Sequence, residues 1–165
     1  MSDRSEHLAA APGERLLRLW GRLHAKPGGR RLFAGLLGRM VPYTGSVGAR
    51  VEQLAPGHAV VSLRDRRAVR NHLGSVHAVA LVNLGEVTTG LAVLTALPPG
   101  VRGIVTRLSA EYVKKARGEL VAEASARELG LERVGEPREL EITAEIRDAS
   151  RQVVARVTAR WRVGS

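Results

Sequence analysis

The stretch RNHLGSVHAVALVNLGE, residues 70–86, begins as a polar loop, becomes a run of small apolar residues and ends on a carboxylate. An acid midway along a buried helix costs several kcal/mol of desolvation unless something offsets it. Glu86 is therefore read as a working group, a general base or a nucleophile. Its helical neighbours at three and four residues are Val82, Asn83, Thr89 and Gly90. Gly90 removes bulk beside the acid, while the Asn83 amide and the Thr89 hydroxyl are placed to hold a water or a substrate group. Upstream, His77 opens the helix after Asn71, His72 and Gly74. Nine residues place Glu86 about 180° around the helix from His77 and about 13.5 Å along it. The two cannot meet within one chain. A site that uses both must combine the His77 end of one helix with Glu86 of another, as antiparallel helices in a two-fold dimer allow.

Composition narrows the chemistry further. The absence of cysteine removes disulfides, thiolate nucleophiles and cysteine zinc sites, and it fits a reducing compartment. The opening MSDRSEHLAA lacks the basic start and apolar run of a signal peptide, so a cytoplasmic location is expected. His72, His77 and Glu86 lack the i, i+4 histidine pair of a metal site, and neither a metal nor a separate cofactor is expected. No Gly-x-Ser-x-Gly, P-loop or Gly-x-Gly-x-x-Gly occurs, which leaves serine hydrolase, NTPase and dinucleotide chemistry without support. The net charge of +10 is spread over the whole chain and accompanied by only five aromatic residues, a poor match to nucleic-acid binding. A smaller polyanion would need few of these charges. Up to Val41, eight Lys and Arg against three Asp and Glu give +5. Basic amphipathic helices of this kind bind anionic membranes in some proteins, but more often pack one face on their own domain.

These residues must be held by the elements around them. The chain of 165 residues is 44% hydrophobic and 25% charged, a globular composition. At this length roughly 70% of the unfolded chain's surface is buried on folding. Leu16, Leu17, Trp20 and Leu23, then Leu32, Phe33, Leu36, Leu37 and Met40, fall at helical spacing on either side of Pro27-Gly28-Gly29. Pro42 closes the second helix, and Ser46–Arg64 reads as two strands around Ala55–His58. Val76–Leu97 is 22 residues long and apolar enough to span a bilayer, but it carries His77, Asn83 and Glu86. A buried helix is expected, with no integral membrane segment. After Pro98-Pro99-Gly100 the period falls to two: Ile104–Tyr112, Leu140–Ile146 and Val153–Val163 alternate as strands with one wet face. Glu119–Leu129 has helical composition but alternating polarity, and strand is preferred because its neighbours are strands joined by short turns around Gly118 and Gly135. A four-strand meander follows. The expected class is α+β: a helical extension over 1–44 and a domain over 45–165 whose curved antiparallel sheet wraps a long helix, with the helix's remaining face against a second copy.

This layout resembles the hotdog-fold acyl-CoA thioesterases, the phenylacetyl-CoA thioesterase type in particular. The resemblance covers about residues 45–163. Asn71, Gly74, His77 and Glu86 stand where that family reads an asparagine, a glycine, a His-Gly-Gly and an acid nine residues after the histidine. TRLSAEYVKKARG, Thr106–Gly118, is similar to its substrate-proximal strand, and the helices over 14–41 resemble the extension of an uncharacterised branch. Two departures stand out: Gly-Gly is Ala78-Val79, and a proline common near the end of the later strand gives way to Lys114-Lys115-Ala116. The resemblance implies hydrolysis of an acyl-CoA in a homodimer or a dimer of dimers, coenzyme A being part of the substrate. Glu86 would act as base or nucleophile. The Ala78 N–H, unpaired in the first helical turn, would be the oxyanion donor, and Asn71 and His77 would assist from the partner subunit. Gly74, Asn83, Thr89 and Gly90 would shape the substrate site, and Lys114, Lys115 and Arg117 would meet the coenzyme's phosphates. The branched Val79 narrows the acyl entrance, which favours the alternative of a non-catalytic acyl-CoA or lipid binder.

Overall fold

The structure, a computed structural model, describes residues 11–131, 134 and 136–164. Helix α1 (Pro12–Leu23) opens on a proline at the first helical position, where the missing N–H costs nothing. Leu16 and Trp20, four residues apart, turn inward, and the Trp20 ring meets Phe33 of α2 (Gly29–Met40) edge-on at 5.1 Å. Val41 takes extended backbone, as a residue before proline does, so Pro42 ends α2. The same proline opens a further helix, α3 (Pro42–Val47). The strand expected from Ser46 therefore starts later: Gly48, at φ +78°, stops α3 and turns the chain into β1 (Arg50–Ala55).

A hairpin at Pro56-Gly57 joins β1 to β2 (His58–Leu63), and α4 (Ala78–Ala96) follows the loop. Then come β3 (Arg102–Tyr112), β4 (Leu120–Ser125), β5 (Arg138–Arg147) and β6 (Val153–Gly164). The six strands form one antiparallel sheet in the order β1-β2-β4-β5-β6-β3. Helix α4 packs along the sheet, against which small side chains such as Ala122, Ala144 and Ala159 are fully buried. At Gly85 a Cβ would lie 2.3 Å from Val157 Cβ, so helix backbone and β6 touch directly. α1 and α3 lie on another side of α4. This is the hotdog fold: a curved sheet around a central helix, here with N-terminal helices added. By length and composition α4 would cross a membrane, yet most of it is buried inside the fold.

The ambiguous Glu119–Leu129 segment is strand over Leu120–Ser125, with Leu120, Ala122 and Ala124 inward, and a short 3-10 turn over Arg127–Leu129. The ladders offered by β2 and β5 override its helical composition. Two expectations are corrected. Strands β4 to β6 meander, but β3 lies beside β6 at the sheet edge and not beside β4. The link from β3 to β4 crosses below the start of α4, where the carbonyl of buried Ala116 accepts the Val76 N–H and the Ser75 hydroxyl, each at 2.8 Å. The turn expected at Gly135 lies outside the described residues. Second, a bulge between Val105 and Arg107 reverses the parity of β3. Ile104, expected on the dry face, pairs with Arg162 and is 64% exposed, whereas Val105 pairs with inward Trp161.

Candidate active site

The beginning of α4 is built by its own loop. Asn71 Oδ1 accepts the backbone N–H groups of Leu73 (3.0 Å) and Ser75 (3.1 Å), a turn that Gly74 completes at φ +66°. His77 is the N-cap: its Nδ1 accepts the Val79 N–H at 3.1 Å, and its own N–H donates to the Val69 carbonyl at 2.7 Å. The ring therefore positions the first turn, in which the Ala78 N–H lies at the positive end of the helix. Tyr112, at the end of β3, donates its hydroxyl to the Ala78 carbonyl at 3.3 Å. Asp65 ties the approach together: it accepts from Arg70 at 2.6 Å and from the Gly118 N–H at 2.9 Å. The Arg70 hydrogen bond holds its carboxyl below the ordinary value of 3.8. His77 and Val79 line a shallow cleft of about 320 Å³ with Tyr43, Val47 and Arg70. Val79 itself is 52% exposed.

Glu86 lies in a different cleft, of about 620 Å³, between α4 and the N-terminal helices. Leu16 and Leu19 of α1, Leu37 and Met40 of α2, and Val87 and Leu91 of α4 make its walls aliphatic. Burial alone pushes the Glu86 carboxyl above its ordinary 4.5. Gly90 lies one turn away in the same cleft, and Trp161 of β6 packs over it: a Cβ there would stand 3.3 Å from the indole Cζ2 and Cη2. The Trp161 Nε1, on a side chain 5% exposed, has no hydrogen-bond partner among the described residues. Thr44 also lines the cleft and accepts from Asn83 Nδ2 at 3.2 Å, leaving the buried Asn83 Oδ1 without a partner among the described residues. Thr89 is fully buried and donates to the Glu86 backbone carbonyl at 2.9 Å, so its hydroxyl serves the helix.

Within one chain, then, Glu86 and Gly90 share a cleft, while His77 and Val79 line another at the start of α4, as the nine-residue spacing requires. Lys114 is held by Asp148 at 2.6 Å and by Gln152, whereas Lys115 and Arg117 are exposed without an ion pair among the described residues. Trp161, Thr44 and the α1–α2 wall are absent from the sequence-derived site. A large residue on the inward face of the alanine- and valine-lined β6 is the one signal that could have found Trp161.

No curated protein matches the sequence at significant similarity. Among solved structures, the structural-genomics protein APC5556 is similar, with 27% identity and a TM-score of 0.78 over 92% of this chain and 97% of that one. PA5026 of Pseudomonas aeruginosa, named a protein of unknown function and probable thioesterase, shares 23% identity at a TM-score of 0.73 over 81% and 93% of the two chains. Thioesterase HI1161 of Haemophilus influenzae shares the fold at 14% identity and a TM-score of 0.66 over 78% and 88%. From α2 to the end of β6, residues 29–163 match the domain of unknown function DUF4442, and the chain belongs to that family.

Proposed function

We propose that this protein is a thioesterase that hydrolyses acyl-CoA at a site shared by two copies. The observation that carries the reading is Glu86: a half-buried carboxylate in an apolar cleft, with its affinity for a proton raised by burial. Such a group is better suited than an ordinary carboxylate to take a proton from water. The names of the hotdog relatives PA5026 and HI1161 point to the same chemistry. The Ala78 N–H of the second copy supplies the oxyanion donor, and His77 and Asn71 act as positioning residues that hold it. Asn71 Oδ1 is already taken by two backbone groups, so what it offers a substrate is its amide nitrogen.

In this mechanism Glu86 removes a proton from a water as the oxygen attacks the thioester carbonyl carbon. The carbonyl oxygen gains negative charge against the Ala78 N–H. Collapse breaks the carbon–sulfur bond, the Glu86 proton passes to the leaving thiolate, and the acid and coenzyme A depart. Attack by Glu86 itself to give a mixed anhydride, which water then opens, yields the same products. The exposed Lys115 and Arg117 would pair with the coenzyme's phosphates.

Thiol release from an acyl-CoA panel tests this. Glu86→Gln should lower kcat by about 10²–10⁴-fold, the usual worth of a general base, with the fold intact by circular dichroism. Tight binding without turnover in the wild type would instead make the protein an acyl-CoA binder.

A further inference from the structure

We infer that the cleft between the N-terminal helices and α4 is an acyl-tail pocket for a straight aliphatic chain carried on a carbonyl. This deepens the thioesterase reading and rests on it. The walls are leucine, valine and methionine from three helices, with Pro12 and the exposed Arg15 of α1 also on the lining. Along α4 the lining runs from Glu86 to Leu94, eight residues and about 12 Å of helix. At the Leu94 end α1 packs directly on α4, since a Cβ at Gly13 would fall 2.0 Å from the Leu94 carbonyl oxygen. The other end holds the polar groups Glu86 and Thr44.

A slot greasy along its length and polar at one end is complementary to an amphiphile of the same pattern. An inserted polypeptide segment would bring a string of backbone donors and acceptors that aliphatic walls cannot satisfy, whereas a hydrocarbon tail brings none. A single aromatic ring would leave most of the slot unfilled. The N-terminal helices thus measure the chain, while the end of α4 from the other copy holds the thioester.

Rates with butanoyl-, octanoyl-, dodecanoyl- and phenylacetyl-CoA test the pocket, with calorimetry on the Glu86→Gln protein using the octanoyl ketone analogue, in which CH2 replaces the thioester sulfur. Octanoyl- or dodecanoyl-CoA should exceed both other substrates in kcat/KM. Leu19→Trp should cut the dodecanoyl-to-butanoyl ratio of kcat/KM by about tenfold, the lower range for changed pocket contacts, and Leu19→Ala should raise it. The octanoyl ketone analogue should bind the Glu86→Gln protein at least about tenfold more tightly than its butanoyl counterpart. A chain-length profile untouched by either Leu19 variant, or a preference for phenylacetyl-CoA, overturns the pocket even if hydrolysis is found. Affinity that rises with chain length but comes without turnover leaves the pocket standing and overturns the thioesterase.

Discussion

Glu86 is a carboxyl whose proton the fold holds more tightly than water would, because burial disfavours its charge. Its folded pKa lies above the unfolded value, so the native state binds the extra proton and stability falls as pH rises through that window. Above the folded pKa the whole penalty is present. Glu86→Gln should therefore raise Tm at about pH 8 and change it little at about pH 3, where the wild-type group is protonated in both states. Thermal melts at the two pH values check this, and an equal shift at both would contradict it. The same burial places the acid limb of kcat/KM above the range of an ordinary glutamate, since the base form must be free. At this scale helical periodicity made Glu86 and Gly90 legible as cleft neighbours. It could not tell that Thr89, also a near neighbour of Glu86, spends its hydroxyl on the helix backbone. Nor could it bring in Trp161, which is joined to Gly90 only by packing between α4 and β6.

Helix α4 is set in depth by contacts that only glycine permits. A methyl at position 85 would stand 2.3 Å from Val157 Cβ, and neither the strand nor the helix can step back without disturbing the sheet. Gly85→Ala should cost at least the ~1–3 kcal/mol typical of overpacking, despite alanine's better helix propensity. Urea unfolding measures it, and a stabilised variant would refute the contact. Period-two and period-three-to-four patterns made most elements readable, including β4 against its own composition. α3 was hidden because Pro42 reads equally as the end of one helix and the first residue of the next. The β3 bulge was hidden because an extra residue leaves alternation looking continuous while exchanging its faces.

Among the described residues the sheet ends on β3, an eleven-residue edge strand without a neighbour on one side. On its helix side Leu108 and Tyr112 are 39% and 50% exposed, not far from the exposed Val79 at the start of α4. An edge of that length with uncovered apolar side chains is a template for pairing. Sedimentation velocity should find a dimer or a multiple of it, and Leu108→Lys should drive it toward monomer. The shared site has a sharper test. Ala78→Pro removes the proposed oxyanion N–H at a helical position that tolerates proline, and His77 already has the extended backbone proline requires. Alone, Ala78→Pro and Glu86→Gln should each be inactive. Mixed after refolding together, half the dimers should be hybrids with one intact site of two, restoring about a quarter of wild-type activity. No restoration would place both groups in one subunit's site. That one chain cannot bring Glu86 to its own Ala78 N–H was readable from nine residues of helix; that the N-terminal helices wall the Glu86 cleft was not, because amphipathic periodicity says which face is buried but not against what.

The chain has two tryptophans, and the fold gives them different surroundings. Trp20 is wedged between the Phe33 ring and the His24 imidazole, which stacks on it at 5.2 Å. Trp161 borders open space. The protein thus carries its own optical reporter: filling the cleft should shift or quench ultraviolet emission from one indole while the other gives a steady background, and Trp161→Phe should leave the spectrum indifferent to added ligand.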